Sequence, residues 1–120
     1  MFLVYNPHVS NLIEAPWGFI VEGKRNDTES NAIVYIDPAQ ATPLEWHKTS
    51  TEIITHHFGY GAIIIGNTAY ELRAGREPIV LNPGEIYEII NLEKADLLSF
   101  SINVNPPFDP GDVYLVLSQA

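Results

Sequence analysis

LEWHKTSTEIITHHFGYGAIIIGNTAYELRAGREPIVLNPGEIYEIIN, residues 44–91, decides the fold. It holds three of the four histidines and the best strand signal in the chain. Short apolar runs at 44–48, 52–58, 62–65, 69–72, 78–81 and 86–92 are separated by Gly59-Tyr60-Gly61, Gly66-Asn67, Ala74-Gly75 and Asn82-Pro83-Gly84. Runs rich in Ile, Val, Tyr and Thr, punctuated by Gly, Asn and Pro, read as strands joined by turns. Successive side chains of a strand point to opposite faces. Glu45 and His47 therefore share one face, Glu52, Ile54 and His56 share one face, and His57 points away. On this reading Glu45, His47, Glu52 and His56 point into a β-barrel, and Tyr87 joins them from a later strand.

Outward from that stretch the pattern continues. Ala32 to Ile36 is a strand closed by Asp37-Pro38, and Phe19 to Glu22 is another. Residues 23–31 (GKRNDTESN) are too polar to pack and read as an exposed, mobile loop. Glu14 to Gly18 makes a corner, and the apolar residues 2–5 (FLVY) can add a strand at a sheet edge or on a partner subunit. Beyond the central stretch, 97–104 is a strand, 106–111 (PPFDPG) is irregular, and 113–117 is a last strand. No segment places apolar residues at helical spacing, so the chain is all-β, a sandwich or barrel.

Composition narrows the function classes. The 120 residues, 46% apolar, suffice for one packed core. Six basic against fifteen acidic residues give a formal charge of −9. A duplex-binding surface needs clustered cations to displace counterions, so neither nucleic acid nor an anionic membrane is an expected partner. No apolar run approaches a membrane span, and the first ten residues lack the pattern of a signal peptide. The expected location is cytoplasmic. With no cysteine, thiolate metal sites and disulfides are excluded.

Glu45-Trp46-His47, four residues, Glu52, six residues, Gly59 matches the spacing of the first cupin motif, H-x-H, three or four residues, E, six residues, G. Gly84, two residues, Tyr87, three residues, Asn91 matches the later half of the second motif, G, two residues, H, three residues, N. Over about residues 30–115 the chain thus resembles the cupin superfamily, jelly-roll β-barrels; the tail from Asn105 to Asp112 also resembles the edge of small single-domain cupins. Glu45 stands where the family has a histidine, and so does Tyr87. The resemblance implies one cupin domain over 1–120, with N-terminal strands and a loop in 1–30 and the barrel motifs in 31–115.

The resemblance also implies an interior site. In metal-binding cupins these motif positions hold the ion, so Glu45, His47 and Glu52 are the candidate ligands of a divalent Fe, Mn, Zn or Ni. Without metal, His47 oriented by a carboxylate can act as a base and Tyr87 can donate to a developing enolate. The expected function is a small-molecule enzyme of the isomerase, epimerase or lyase kind, with His47, Glu52 and Tyr87 catalytic and Glu45, His56 and Asn91 contacting ligand. The alternatives are a non-catalytic ligand-binding or sensory cupin and a metal-dependent, dioxygenase-like enzyme. Trp17 and Trp46 are sugar-platform candidates, although Trp46 alternates outward. His57 reads as a surface residue and His8 carries no sign of a role. Ile63-Ile64-Ile65 and Ile89-Ile90 leave strands apolar on both faces, most simply covered by a second subunit, hence a homodimer.

Overall fold

The structure is a computed structural model that describes residues 4–5 and 11–116, with side chains described over 11–116. His8, Phe2 and Leu3 lie outside those residues, as does the end of the last predicted strand, Leu117. The described strands are β1 (Val4–Tyr5), β2 (Leu12–Ala15), β3 (Gly18–Arg25), β4 (Ser30–Ile36), β5 (Glu45–His47) and β6 (Thr51–Phe58). They continue as β7 (Gly61–Ile65), β8 (Thr68–Leu72), β9 (Ile79–Leu81), β10 (Tyr87–Asn91), β11 (Leu98–Asn105) and β12 (Val113–Leu115). The single helical turn among the described residues, a 3-10 turn at Pro110–Asp112, precedes β12. No described helix is long and apolar enough to cross a membrane.

The strands form two sheets, β1-β2-β3-β4-β11-β6-β9 and β12-β5-β10-β7-β8, antiparallel throughout. This is the two-sheet arrangement of a jelly roll. Strand alternation decides what lies between the sheets. In β6, Glu52 and Ile54 are buried while Ile53, Thr55 and His57 are exposed. In β9, Ile79 and Leu81 are buried on either side of exposed Val80. Tyr87, Ile89 and Asn91 alternate inward along β10. The inner faces of both sheets thus supply one core, with Ile36, Ile54, Ile63, Leu98 and Phe100 at its centre. At Gly61 the packing is so close that a Cβ would collide with the Ile90 carbonyl oxygen and Leu98.

Two expectations are corrected. The polar segment 23–31 is not one long loop: β3 runs on to Arg25 and β4 begins at Ser30, leaving a tight turn. Asn26 Oδ1 holds that turn by accepting from the backbone N–H groups of Thr28 and Glu29. Side-chain polarity describes the outward face of a hairpin as well as it describes a loop. Second, the corner expected over Glu14 to Gly18 narrows to Pro16-Trp17, because Leu12–Ala15 is a strand paired with β3, with Val4 and Tyr5 of β1 on its other edge. On the outer face of the smaller sheet, Ile64 and Ile90 are half-buried within the one chain.

Candidate functional site

Four inward side chains meet at one end of the barrel interior. Glu45 and His47 are two residues apart on β5, Glu52 is the second residue of β6, and Tyr87 opens β10. Tyr87 pairs across the sheet with Glu45, which fixes that neighbourhood through backbone register. All four are at most 6% exposed. The Tyr87 hydroxyl donates to Glu45 Oε1 at 3.0 Å and lies 2.9 Å from His47 Nε2. His47 Nε2 is also in direct contact with Glu52 Oε1. A bare ring nitrogen and a carboxylate oxygen repel, so that contact obliges a proton between them.

Charge and burial compete here. Burial pushes the Glu45 carboxyl up, the nearby Glu52 charge adds to this, and the Tyr87 hydrogen bond partly opposes it. Burial alone would lower His47, but the hydrogen bond to Glu52 and the charges of Glu52, Glu45 and Asp112 outweigh it, and the imidazole is held above its ordinary value. Burial, and then the two carboxylates, push the Tyr87 phenol well above its ordinary range. Tyr87 is therefore a neutral donor at physiological pH, and His47 is ready to hold a second proton.

The four line a cavity of about 80 Å³, against roughly 300–1,000 Å³ for pockets that hold drug-sized ligands. Its walls are otherwise mostly apolar, including Ile20, Val34, Ile89 and Phe100, with Lys24 and Arg25 of the β3 hairpin also lining it. Three lining residues carry a buried polar atom with no hydrogen-bond partner: Glu45 Oε2, Glu52 Oε2 and Trp17 Nε1. Trp17 sits in the β2–β3 turn and is 5% exposed. Its sequence signal, an aromatic at a Pro-Trp-Gly corner, does not tie it to the motif residues. Trp46 points away and stacks on Tyr114 with ring centroids 4.6 Å apart.

Two predicted ligand contacts lie elsewhere. Asn91 is four residues beyond Tyr87 on β10, roughly 13 Å along the strand. Its Nδ2 donates to the carbonyls of Ile36, Asp37 and Asp96, and its Oδ1 accepts from Glu93 N–H. It ties the barrel's far end together and does not line the cavity. His56 faces the same side as Glu52, as alternation requires, but its Nε2 bonds the Gly59 carbonyl at 2.7 Å and it too lies outside the cavity lining. His57 is exposed.

Two residues adjoin His47 that the motif spacing does not single out. Ser50 Oγ lies 2.9 Å from His47 Nδ1, and Asp112, in the 3-10 turn, bonds Ser50 in turn. Asp112 comes from 62 residues away in sequence, which no local pattern reveals.

The donor set does not fit a metal ion. Ligand atoms on one ion sit about 2 Å from it and keep apart from one another, whereas His47 Nε2 and Glu52 Oε1 bond each other directly. The fourth position holds a phenol whose proton is strongly retained. Among the described residues no group of three or more His, Asp or Glu side chains is arranged to hold an ion.

Neither a family model nor a curated protein matches the sequence. Solved structures do. CapF from Staphylococcus aureus, a capsular polysaccharide assembling protein, aligns over 98% of this chain with a TM-score of 0.78 and 20% identity. This chain spans only 35% of CapF. Streptomyces PAC13, as a single-substitution variant with uridine, matches with a TM-score of 0.74 and 16% identity, over 95% of this chain and 90% of that one. A predicted oxalate decarboxylase from Thermotoga maritima gives a TM-score of 0.65 at 18% identity, over 73% and 79%. A Klebsiella pneumoniae protein with a double-stranded beta-helix domain gives 0.73 at 16%, over 88% and 89%.

Proposed function

We propose that this chain, a protein with the cupin fold, binds a small carbonyl-bearing molecule in the barrel cavity and moves a proton on it. The observation that carries the reading is the set of three unpartnered buried atoms around the cavity, Glu45 Oε2, Glu52 Oε2 and Trp17 Nε1. Each such atom costs about 1–3 kcal/mol unless something satisfies it. Together they ask for a ligand with one acceptor, for the indole N–H, and donors for two carboxylate oxygens. The volume of about 80 Å³ admits a small molecule, or the end of a longer one.

The chemistry follows from the proton balance. As the ligand enters, the proton on Nε2 passes to the Tyr87 oxygen, 2.9 Å away, while the Tyr87 proton passes to Glu45 Oε1, 3.0 Å away, which leaves Nε2 bare and the new Tyr87 hydrogen free. Nε2 then takes a proton from the carbon next to the ligand's carbonyl. The Tyr87 hydroxyl stabilises the enolate oxygen by donating to it. Return of the proton to the same carbon, or loss of a leaving group from the next one, gives an isomerase, epimerase or lyase outcome. The inhibitor-bound CapF and uridine-bound PAC13 support small-molecule binding on this fold. A second reading, binding without turnover, is favoured by one observation: the four polar groups already bond one another.

The two are separated by ligand-observed NMR on a panel of small keto acids and sugars in heavy water. An enzyme washes deuterium into the carbon next to the carbonyl of a bound compound, and His47→Gln stops this while binding persists. Binding with no exchange in the parent protein would leave the non-catalytic reading standing.

A further inference from the structure

Behind His47, on the side away from the cavity, lies a hydrogen-bond chain that the acid–base reading does not use. The Asp112 carboxylate accepts four hydrogen bonds. Thr49 gives Oδ1 its backbone N–H at 2.9 Å and its hydroxyl at 2.8 Å. Ser50 gives Oδ2 its backbone N–H at 3.1 Å and its hydroxyl at 2.9 Å. A carboxylate bonded in this way is an acceptor only, so the Ser50 hydrogen is committed to it. Ser50 Oγ can then meet His47 Nδ1, 2.9 Å away, only by accepting.

We infer that Asp112, acting through Ser50, is a positioning residue that fixes the His47 proton on Nδ1 and so keeps Nε2 as the nitrogen that exchanges protons in the cavity. A hydrogen bond at one ring nitrogen sets the role of the other. Here that bond is relayed through a hydroxyl, since Asp112 Oδ2 is itself 4.0 Å from Nδ1. The other groups around the ring act at its opposite edge or beside it: Glu52 from β6 and Tyr87 from β10 meet Nε2, and Glu45 from β5 reaches Tyr87. None of them contacts Nδ1. Ser50 is 4% exposed, so water is a poor substitute for it.

This inference rests on the reading of His47 as the proton-exchanging group, but its test uses no ligand, so the two can fail separately. Full-length protein carrying 15N-labelled histidine is examined by long-range proton–nitrogen correlation at a pH where the His47 ring is neutral. In the parent, Nδ1 should show the shift of a protonated nitrogen and Nε2 that of an unprotonated one, the proton of the Nε2–Glu52 contact lying on the Glu52 oxygen. Ser50→Ala, which leaves both Thr49 bonds to Asp112 in place, should turn the ring into a mixture of both tautomers. Ser50→Thr, which keeps the hydroxyl, should restore the parent pattern. In Asp112→Asn the new side-chain amide can donate to Ser50 Oγ, and the proton should move to Nε2. A parent ring protonated on Nε2, or a Ser50→Ala ring with the parent pattern, overturns the inference and leaves Asp112 as a loop tie. The parent spectrum decides this even if a variant does not fold.

Discussion

Both ends of β10 bury polar side chains, and they treat them in opposite ways. At one end Asn91, 1% exposed, has its amide hydrogens and its oxygen spent on three carbonyls and one backbone N–H. At the other end Tyr87 joins Glu45, His47 and Glu52 in a cluster that leaves two carboxylate oxygens without partners, beside the equally unpartnered Trp17 indole. Burial alone separates nothing here, since all these groups are buried. Completeness does: a saturated polar group holds a fold together, and an unsaturated one in a cavity waits for something from outside.

That contrast can be broken most sharply at Asn91. Asn91→Ala strands three carbonyls and an amide, and should cost about 3 kcal/mol of stability, read as a lower urea midpoint. Ligand exchange measured below the transition should be unchanged. A loss of binding without loss of stability would move Asn91 from scaffold to site.

A smaller effect is expected at His47, visible as a pH dependence. Its folded-state value is raised, so the folded protein holds that proton more tightly than the unfolded chain does. The resulting stability is fully present below the ordinary value of 6.5 and is lost as pH rises through the raised one. Urea midpoints of the parent should therefore fall as pH climbs above 6.5, while those of His47→Gln stay flat. Glu45 also loses stability with rising pH, but its ordinary value of 4.5 puts its onset lower. Lowered Asp112 acts in the opposite sense near pH 3.8 and below. Neither accounts for a fall that vanishes with His47. An unchanged slope in the variant would sink the assignment.

The smallest effect on stability belongs to Trp17. Trp17→Phe removes an unsatisfied N–H and little volume, so stability should stay within about 0.5 kcal/mol of the parent. Affinity for a ligand that accepts from the indole should drop roughly five- to tenfold, the worth of one hydrogen bond. If Trp17→Phe destabilised as much as Asn91→Ala, the indole would belong to the scaffold.

The same contrast explains what is legible in the sequence. Glu45, His47, Glu52 and Tyr87 can be picked out because each sits on a strand, where a period of two assigns the face, and because motif spacing puts the strands in one barrel. For Asn91 and His56 alternation assigns the right face, while both lie outside the cavity lining. Face follows from alternation but position along the strand does not, and four residues carry both out of reach of the cavity. Ser50, Asp112 and Trp17 come from a loop, a 3-10 turn and a corner. No periodicity governs such segments, and the Ser50–Asp112 contact bridges 62 residues. The hairpin at 23–31 is hidden because its polar residues would suit a loop equally well.

The late position of Asp112 has a consequence for synthesis. A ribosome delivers residues in order, and domains gather structure as they emerge. When Asn105 has left the ribosome, β5, β6, β10 and β11 are all available, and Glu45, His47, Glu52 and Tyr87 can meet. The His47 ring still lacks the contact that orients it until Asp112 follows and β12 zips onto β5, Val113 opposite His47. The four side chains can therefore come together before Asp112 reaches the His47 ring through Ser50.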